Sequence, residues 1–163
     1  MPASAKTFTF TSENLTKIEA HIAKYPPGRQ ASAVLPVLDL AQRQNGGWLS
    51  QSAIETVAQR LGMPVIRVQE VASFYSMFNL KPVGRHHVQI CGTTPCWLMG
   101  AEGLRDACKQ HLGITEGGTV DGQFSVVEVE CLGACTAAPA VQINDDYYEN
   151  LTPEKLIDVL RKL

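Results

Sequence analysis

Long hydrophobic runs are absent from this sequence. The best candidate, residues 31–41, is interrupted by Ser32, Pro36 and Asp39, whereas a membrane-spanning helix needs about 18 apolar residues in succession. The first six residues have neither an apolar core nor a run of arginines, so we expect neither a signal peptide nor a transit peptide. The sequence therefore predicts a chain with no direct insertion into a membrane.

An excess of one sign of charge is also missing. The 163 residues include 14 basic and 16 acidic side chains, which leaves a formal net charge of −2 with neutral histidines. A protein that binds nucleic acid by neutralising phosphates carries a marked excess of lysine and arginine. Neither a G-x-G-x-x-G motif nor a P-loop occurs, so the usual glycine-rich loops for nucleotides are lacking. We expect neither nucleic-acid binding nor a nucleotide site in this chain.

The first half of the chain has the pattern of a small helical bundle. Apolar residues make up 45% of the sequence and charged residues 18%, which is typical of a folded globular protein. Four apolar stripes at helical spacing begin at Leu15, Val34, Ile54 and Val65. Ser12 is the predicted cap of the first helix, and Ser52 or its rival Ser50 caps the third. Short turns between the stripes predict four helices packed against one another.

The second half changes to an alternating pattern. Residues 86–91 and 124–131 alternate between apolar and polar side chains, which predicts two strands. A helical stretch that includes Leu104 and Cys108 lies between them, and Gly117-Gly118 is predicted to be a loop. A hairpin with its turn at residues 144–146 and a helix capped by Thr152 complete the order β-α-β-β-β-α.

Four of the five cysteines form two close pairs. Cys91 and Cys96 are spaced C-x4-C, and Cys131 and Cys135 are spaced C-x3-C. Structural disulfides are disfavoured because no export signal is visible, and neither gap is the C-x-x-C of a thiol–disulfide active site. A closed zinc site would use the same thiolates, although its usual turns are tighter. The fifth cysteine, Cys108, is predicted to be a buried thiol.

A [2Fe–2S] cluster suits the two pairs best, because each iron takes two thiolates. Gly92 and Gly133 leave room for backbone N–H groups to approach the sulfurs, and Thr93 and Thr94 offer hydroxyl donors. Both pairs follow strand-like segments, so we expect them to meet at the same end of neighbouring strands. Two consecutive histidines, residues 86 and 87, are reminiscent of a Rieske centre, but four cysteines already complete the site.

At these residues the chain resembles the thioredoxin-like [2Fe–2S] subunit of respiratory NADH:quinone oxidoreductase, also known as complex I. The resemblance extends over nearly the whole chain and includes the segments Tyr25-Pro-x-Gly28-Arg29, Gly47-Trp48-Leu49, Val71-Ala72-Ser73-Phe74-Tyr75, Pro82-Val83-Gly84-Arg85, Cys131-Leu-Gly-Ala-Cys135 and Leu151-Thr152-Pro153-Glu154. It implies an α+β protein, in which residues 1–84 form the helical bundle and residues 85–163 a thioredoxin-like ferredoxin domain. A cis-proline at Pro139 is a further expectation from the resemblance.

The resemblance also implies ligands and a function. Cys91, Cys96, Cys131 and Cys135 would hold one [2Fe–2S] cluster, which exchanges single electrons with the FMN of a separate NADH-binding flavoprotein subunit. The chain would thus be a non-autonomous oxidoreductase subunit with no catalytic residue of its own. Further iron–sulfur subunits would surround it in the peripheral arm, on the cytoplasmic side of a bacterial inner membrane.

Three alternatives remain open at this point. The same subunit type occurs in NAD-reducing hydrogenases and NAD-dependent formate dehydrogenases, which the quoted segments do not separate from complex I. A zinc-stapled interaction module would use the same four cysteines. Residues 54–75 also resemble a helix-turn-helix, as in a regulator with a redox-sensing cluster, but Arg67 is the only basic residue on the second helix.

Overall fold

The computed structural model describes residues 7–114, 117–118 and 121–163. The chain divides into two compact units, of which the first ends at Pro82 and the second is Val83–Leu163. From residue 7 onwards, four helices form the first unit: α1 (Ser12–Ile22), α2 (Val34–Gln44), α3 (Gln51–Leu61) and α4 (Val65–Phe74), with a 3₁₀ helix at Gln30–Ala33. The predicted small helical bundle is confirmed.

The helix ends in the first unit show which polar residues act as caps. Thr11, not the predicted Ser12, caps α1, and its hydroxyl accepts a hydrogen bond from the N–H of Asn14. Ser50 caps α3 by accepting from the N–H of Ala53. In both cases the cap is the last residue with extended backbone before the helix, where its side chain reaches the free N–H groups of the first turn.

The core of the first unit consists of aliphatic side chains contributed by each of the four helices. Ile18, Leu38, Ile54 and Val68 are fully or almost fully buried there. Burying a side chain of this size contributes about 1.5–3 kcal/mol, so the four apolar stripes account for the packing of the bundle. None of the helices within the described residues is long and apolar enough to cross a membrane.

Among its described residues, the second unit consists of a five-stranded sheet with helices. Its strands are β1 (His86–Cys91), β2 (Gly117–Gly118), β3 (Phe124–Val129), β4 (Val141–Ile143) and β5 (Asp146–Tyr148). Its helices are α5 (Thr94–Leu98), α6 (Ala101–Leu112) and α7 (Pro153–Leu160). The predicted strands and helices are all present, but the predicted loop at residues 117–118 is wrong, because these glycines pair antiparallel with β3. The predicted single helix is divided into α5 and α6.

The sheet order determines where the two cysteine pairs lie. The strands are ordered β2-β3-β1-β4-β5, and β1 and β3 are parallel neighbours in which Cys91 pairs with Val129. The other pairings are antiparallel. Since parallel strands end at the same edge of a sheet, Cys91 at the end of β1 and Cys131 just beyond β3 belong to one edge, as the sequence predicts.

The core of the second unit is formed by the sheet, α6 and α7. Val88, Leu104, Val141 and Leu156 are fully buried in it. Cys108 belongs to the same core and is also fully buried, which confirms its predicted position. The peptide bond between Ala138 and Pro139 is cis, as expected.

A glycine attaches the start of the second unit to the sheet. Gly84 donates its N–H to the Ser125 hydroxyl at 3.0 Å. A Cβ atom at Gly84 would lie only 2.6 Å from the backbone nitrogen of Ser125 and collide with the backbone of Phe124. The glycine is therefore required by its close approach to β3, which ties the residue before Arg85 to the sheet.

Candidate metal centre

The first cysteine pair is held by regular secondary structure. Cys91 is the last residue of β1 and Cys96 lies in α5, where Pro95 occupies the first turn. Their exposed fractions are only 2% and 1%. The end of β1 and the helix α5 therefore place both thiols inside the second unit.

The second pair lies on an irregular segment after β3. Cys131 precedes a turn, and Cys135 begins a 3₁₀ helix at Cys135–Ala137; both are exposed. The N–H of Gly133 donates to the Cys131 sulfur at 3.3 Å. Gly133 has a φ of 73°, a left-handed conformation that glycine adopts without steric cost. The predicted approach of a glycine N–H to a sulfur is therefore observed at Gly133.

Backbone contacts bring the second segment onto the first pair. The Cys91 sulfur lies 3.8 Å from the carbonyl oxygen of Glu130 and receives a backbone hydrogen bond from Leu132. On the other side of Leu132, its carbonyl oxygen accepts a hydrogen bond from the Tyr147 hydroxyl at 3.2 Å. The segment that begins with Cys131 is thus attached both to Cys91 and to strand β5.

The environment of Cys91 favours its thiolate. Burial raises the pKa of this thiol, but hydrogen bonds from the hydroxyl and backbone of Thr93 and from the backbone of Leu132 outweigh that cost and lower the pKa below its usual value. The Thr93 hydroxyl oxygen lies 3.3 Å from the Cys91 sulfur. The Thr93 hydroxyl thus lies beside the Cys91 sulfur, whereas Thr94 is the first residue of α5.

The pKa of Cys96 is shifted in the opposite direction, above its usual value. Burial raises its pKa, and the neighbouring Cys91 and Cys135 raise it further, although a backbone hydrogen bond from Ala140 works against them. Two thiols that share a site do not both ionise easily, because their negative charges repel. Cys135 of the second pair is thus close enough to Cys96 to influence its pKa.

Small apolar residues line the buried pair. Cys91 and Cys96 form a separate core cluster with Ala101, Ala138 and Ala140, on which Leu132 and Ala134 pack. Side chains of this size leave the backbone close to the sulfurs and provide little polarity. The buried side of the site is therefore apolar.

Gly92 has a different role from the one that the sequence suggests. Its N–H donates to the carbonyl oxygen of Val129 at 2.9 Å and so continues the sheet ladder. A Cβ atom here would meet the side chain of Glu128, whose Cδ would lie 2.8 Å away. Arg105 on α6 holds this carboxylate through a 2.7 Å ion pair. Gly92 thus provides space for Glu128; no sequence pattern indicates the ion pair beside it, because its residues are 23 positions apart.

The remaining candidates do not join the site. The fully buried Cys108 has its pKa raised to about 11 by burial, which keeps it a neutral thiol. His87 lies at the start of β1, whereas Cys91 ends it. Its Nδ1 is 2.7 Å from the Ser125 hydroxyl oxygen, and burial lowers its pKa. The ring of His86 lies against Phe124.

The donor set fits an iron–sulfur cluster. Four thiols in two pairs meet the requirement of two thiolates for each of two irons, and N–H and hydroxyl donors approach two of the sulfurs. Within the ranges that the structure describes, no three His, Cys, Asp or Glu side chains form a group around a single metal ion.

Comparisons with known proteins agree with this donor set. Residues 18–163 match the family of thioredoxin-like [2Fe–2S] ferredoxins. The chain is 57% identical over 164 residues to the E subunit of NADH-quinone oxidoreductase from Rickettsia bellii, covering 100% of this chain and 98% of that protein. It is 52% identical over 157 residues to the mitochondrial NADH dehydrogenase [ubiquinone] flavoprotein 2 of Dictyostelium discoideum, covering 96% of this chain and 64% of the relative.

A solved structure shares the fold at lower identity. The NAD⁺-reducing [NiFe]-hydrogenase in its H₂-reduced state superposes with a TM-score of 0.67 at 23% identity, over 78% of this chain and 22% of the hydrogenase chain. The chain spans about a fifth of that protein, so the likeness concerns the fold. From the match over most of its length, the chain belongs to the family of thioredoxin-like [2Fe–2S] ferredoxins.

Proposed function

We propose that this chain is the electron-transfer iron–sulfur subunit of an NADH:quinone oxidoreductase, with Cys91, Cys96, Cys131 and Cys135 as the ligands of one [2Fe–2S] cluster. The observation that supports the assignment of ligands is that β1 and β3 end at one edge of the sheet, where the carbonyl oxygen of Glu130, the residue before Cys131, lies 3.8 Å from the Cys91 sulfur. The near full-length relatives, whose names place them in NADH-quinone oxidoreductase, support the assignment of the complex.

The residues of this chain prepare the thiols for a cluster. When bound, a [2Fe–2S] cluster takes up and releases one electron at a time. Thr93 and the backbone of Leu132 stabilise the thiolate of Cys91, and Gly133 donates its N–H to Cys131. The small apolar residues around Cys91 and Cys96 exclude water from the buried side. Donors to the sulfurs and limited solvent access are the means by which a protein tunes such a site.

A separate flavoprotein would supply the chemistry that this chain lacks. No glycine-rich nucleotide loop occurs in the sequence, so the two-electron oxidation of NADH would take place at the FMN of a partner subunit. The chain would contribute only the one-electron carrier, which makes it a non-autonomous part of the enzyme. It would lie with further iron–sulfur subunits in the peripheral arm, on the cytoplasmic side of a bacterial inner membrane.

An exposed apolar segment next to the site supports a protein partner. Trp97, Leu98 and Met99 directly follow Cys96 and have exposed fractions of 54%, 69% and 62%. Contiguous exposed apolar side chains are typical of surfaces that another protein covers. Cys131 and Cys135 are also exposed in the chain alone, so a partner would also shield these two ligands from water.

Iron and acid-labile sulfide analysis of the full chain tests the cluster and its ligands. We expect two irons and two sulfides per chain, a visible absorption spectrum, and its loss or distortion in Cys91→Ser and Cys131→Ser. Cys108→Ser is the matched control and should leave the spectrum intact. A colourless protein that contains only zinc would overturn the cluster in favour of an interaction module, and a normal spectrum in Cys131→Ser would overturn the ligand set.

Co-purification tests the complex. We expect an NADH-oxidising flavoprotein with bound FMN to accompany the tagged chain from its native cells, together with quinone reductase activity. A nickel-containing hydrogenase in place of the quinone reductase would favour the second candidate, for which the shared fold with the NAD⁺-reducing hydrogenase is the supporting observation. Recovery of a formate dehydrogenase would likewise contradict the proposed complex.

A further inference from the structure

A small cleft of about 90 Å³ lies beside Cys91. Gly92 forms part of its wall, and three charged side chains, those of Glu102, Arg105 and Glu128, line it. Glu128 belongs to β3, whereas Arg105 and Glu102 belong to α6. One positive and two negative side chains therefore border the cleft next to a proposed ligand, although none of them is adjacent to a cysteine in the sequence.

The carboxylate of Glu128 lies directly against the backbone after Cys91. A Cβ atom at Gly92 would collide with one carboxylate oxygen of Glu128 and would lie 2.8 Å from its Cγ and Cδ atoms. Gly92 follows Cys91 without an intervening residue. The carboxylate of Glu128 thus lies against the residue that follows Cys91, and only a glycine at position 92 permits this arrangement without moving the carboxylate.

Arg105 fixes and compensates that charge. Its Nη1 lies 2.7 Å from Glu128 Oε2, within the range of a charge-assisted hydrogen bond. Two other carboxylates, those of Glu102 and Asp106, lie farther from the guanidinium at 3.7 and 3.9 Å. The shortest ion pair of Arg105 is thus the one that connects α6 to β3 beside Gly92.

We propose that the ion pair between Arg105 and Glu128 tunes the reduction potential of the [2Fe–2S] cluster by balancing positive and negative charge beside Cys91. The inference rests on the proposed function, because it requires the cluster at this cysteine. Reduction adds one negative charge to the cluster. A nearby cation stabilises the reduced state and a nearby carboxylate destabilises it. The effects of the two charges on the reduction potential therefore largely cancel while the ion pair is intact.

Single and double variants separate this role from a structural one. In Arg105→Gln the carboxylates lose their compensating charge, so we expect a lower midpoint potential and at least a threefold smaller ratio of reduced to oxidised cluster at fixed applied potential. In Glu128→Gln we expect the opposite shift of similar size. A threefold change is roughly 28 mV, since a tenfold change is 59 mV for a one-electron couple. Arg105→Gln/Glu128→Gln should lie between the single variants.

The measurement is a redox titration of the full chain with its cluster, followed by electron paramagnetic resonance. Arg161→Gln is the matched control, because it removes another partly paired arginine of the same unit, on the exposed end of α7, and should leave the potential unchanged. Shifts in the same direction for both single variants would indicate a structural effect and overturn the proposal, as would no shift in either.

Two further outcomes keep the proposals distinct. If Arg105→Gln assembles no cluster, the upward shift expected for Glu128→Gln decides the question alone. Absence of iron and sulfide from the wild-type chain would refute the proposed function together with this inference. A normal cluster whose potential ignores both charges would refute only the tuning by Arg105 and Glu128.

Discussion

The two cysteine pairs of the candidate site are held in contrasting ways. Cys91 and Cys96 are buried at the end of a strand and in a helix, within a cluster of alanines. Cys131 and Cys135 are exposed and follow the last residue of β3 on a segment with only a three-residue 3₁₀ helix. One half of the site is therefore built by the core of the second unit, and the other half by local contacts.

Those local contacts are few and specific. Tyr147 donates to the carbonyl oxygen of Leu132, Gly133 adopts a left-handed conformation, and the N–H of Asn150 donates to the carbonyl oxygen of Ala137 at 2.8 Å. A core tolerates the loss of a single polar contact better than such a segment does, because its stability is spread over many van der Waals contacts. The difference suggests that single substitutions should affect the two pairs unequally.

Alkylation of the cluster-free chain gives the largest expected difference. We expect Cys131 and Cys135 to react with iodoacetamide at least tenfold, and on the order of a hundredfold, faster than Cys91 and Cys96, because buried thiols react only after local opening. The measurement is mass spectrometry of tryptic peptides over time. Since the lowered pKa of Cys91 favours its reactive thiolate, equal rates for Cys91 and Cys131 would show that burial does not protect the first pair.

The fully buried Cys108 provides a reference for a thiol that the core encloses. Its pKa in the folded chain is about 11, whereas an unfolded cysteine titrates near 9 or below. The unfolded chain therefore loses the proton first, and the stability contributed by the neutral thiol is complete below about pH 9 and is lost as the pH rises towards 11. At 1.36 kcal/mol per pH unit, this amounts to about 2–3 kcal/mol.

Urea unfolding at pH 8 and pH 11 measures this loss. We expect the free energy of unfolding to fall about 2–3 kcal/mol more for the wild type than for Cys108→Ala over this interval. Lysines and tyrosines also titrate in this range, but they are the same in both proteins, so the difference between the two falls in unfolding free energy isolates Cys108. An equal fall in the wild type and in Cys108→Ala would contradict an enclosed thiol.

The regular parts of this fold follow from the sequence because their causes are local. Apolar residues at helical spacing specify the four helices of the first unit, and alternation specifies β1 and β3. The hairpin between β4 and β5 forms without a glycine, because Asn144 adopts a positive φ of 55°, which asparagine tolerates better than most residues. The strand at Gly117–Gly118 has no such signal, since its pairing depends on β3.

The candidate site is likewise predictable from the sequence only in part. Spacing and flanking residues in the sequence indicate the four cysteines, and the parallel pairing of β1 and β3 brings their segments to one edge. The contacts of Tyr147 with Leu132 and of Arg105 with Glu128 join residues 15 and 23 positions apart. Such contacts arise only once the sheet has formed, so no local pattern in a single sequence could have predicted them.

Substitution of Gly133 or of Gly92, the glycines that lie next to the cysteines, should reduce stability by a smaller amount, and for a different reason at each position. At Gly133 a Cβ atom would meet nothing within 4 Å, but the φ of this residue is 73°, so Gly133→Ala should cost about 1–2 kcal/mol through backbone strain alone. Gly133→Asn is the matched control and should cost less, since asparagine tolerates this conformation. Urea unfolding measures both costs, and equal values for alanine and asparagine would argue against strain as the cause.

Gly92→Ala should act through Glu128 instead. The added methyl group meets the flexible end of the glutamate, so we expect the side chain to move and lose the partly exposed ion pair with Arg105, at a cost of about 1 kcal/mol or less. In a chain that already carries Glu128→Ala, the colliding side chain is absent, so adding Gly92→Ala should cause no further loss of stability through the clash. Urea unfolding checks both expectations, and an undiminished penalty in the double variant would place the collision elsewhere.

Tyr147→Phe should give the smallest effect, because it removes one exposed hydrogen bond to the segment of the second pair. A neutral hydrogen bond contributes about 0.5–1.5 kcal/mol, and the half-exposed position of Tyr147 favours the lower part of this range. We therefore expect the loaded chain to lose iron to a chelator about two- to fivefold faster, with an unchanged urea midpoint. Tyr148→Phe is the matched control, since Tyr148 packs against the core of the second unit rather than holding Leu132. Faster iron loss in Tyr147→Phe alone would show that the exposed pair depends on individual contacts, whereas equal rates in both variants would mean that the core governs both halves of the site.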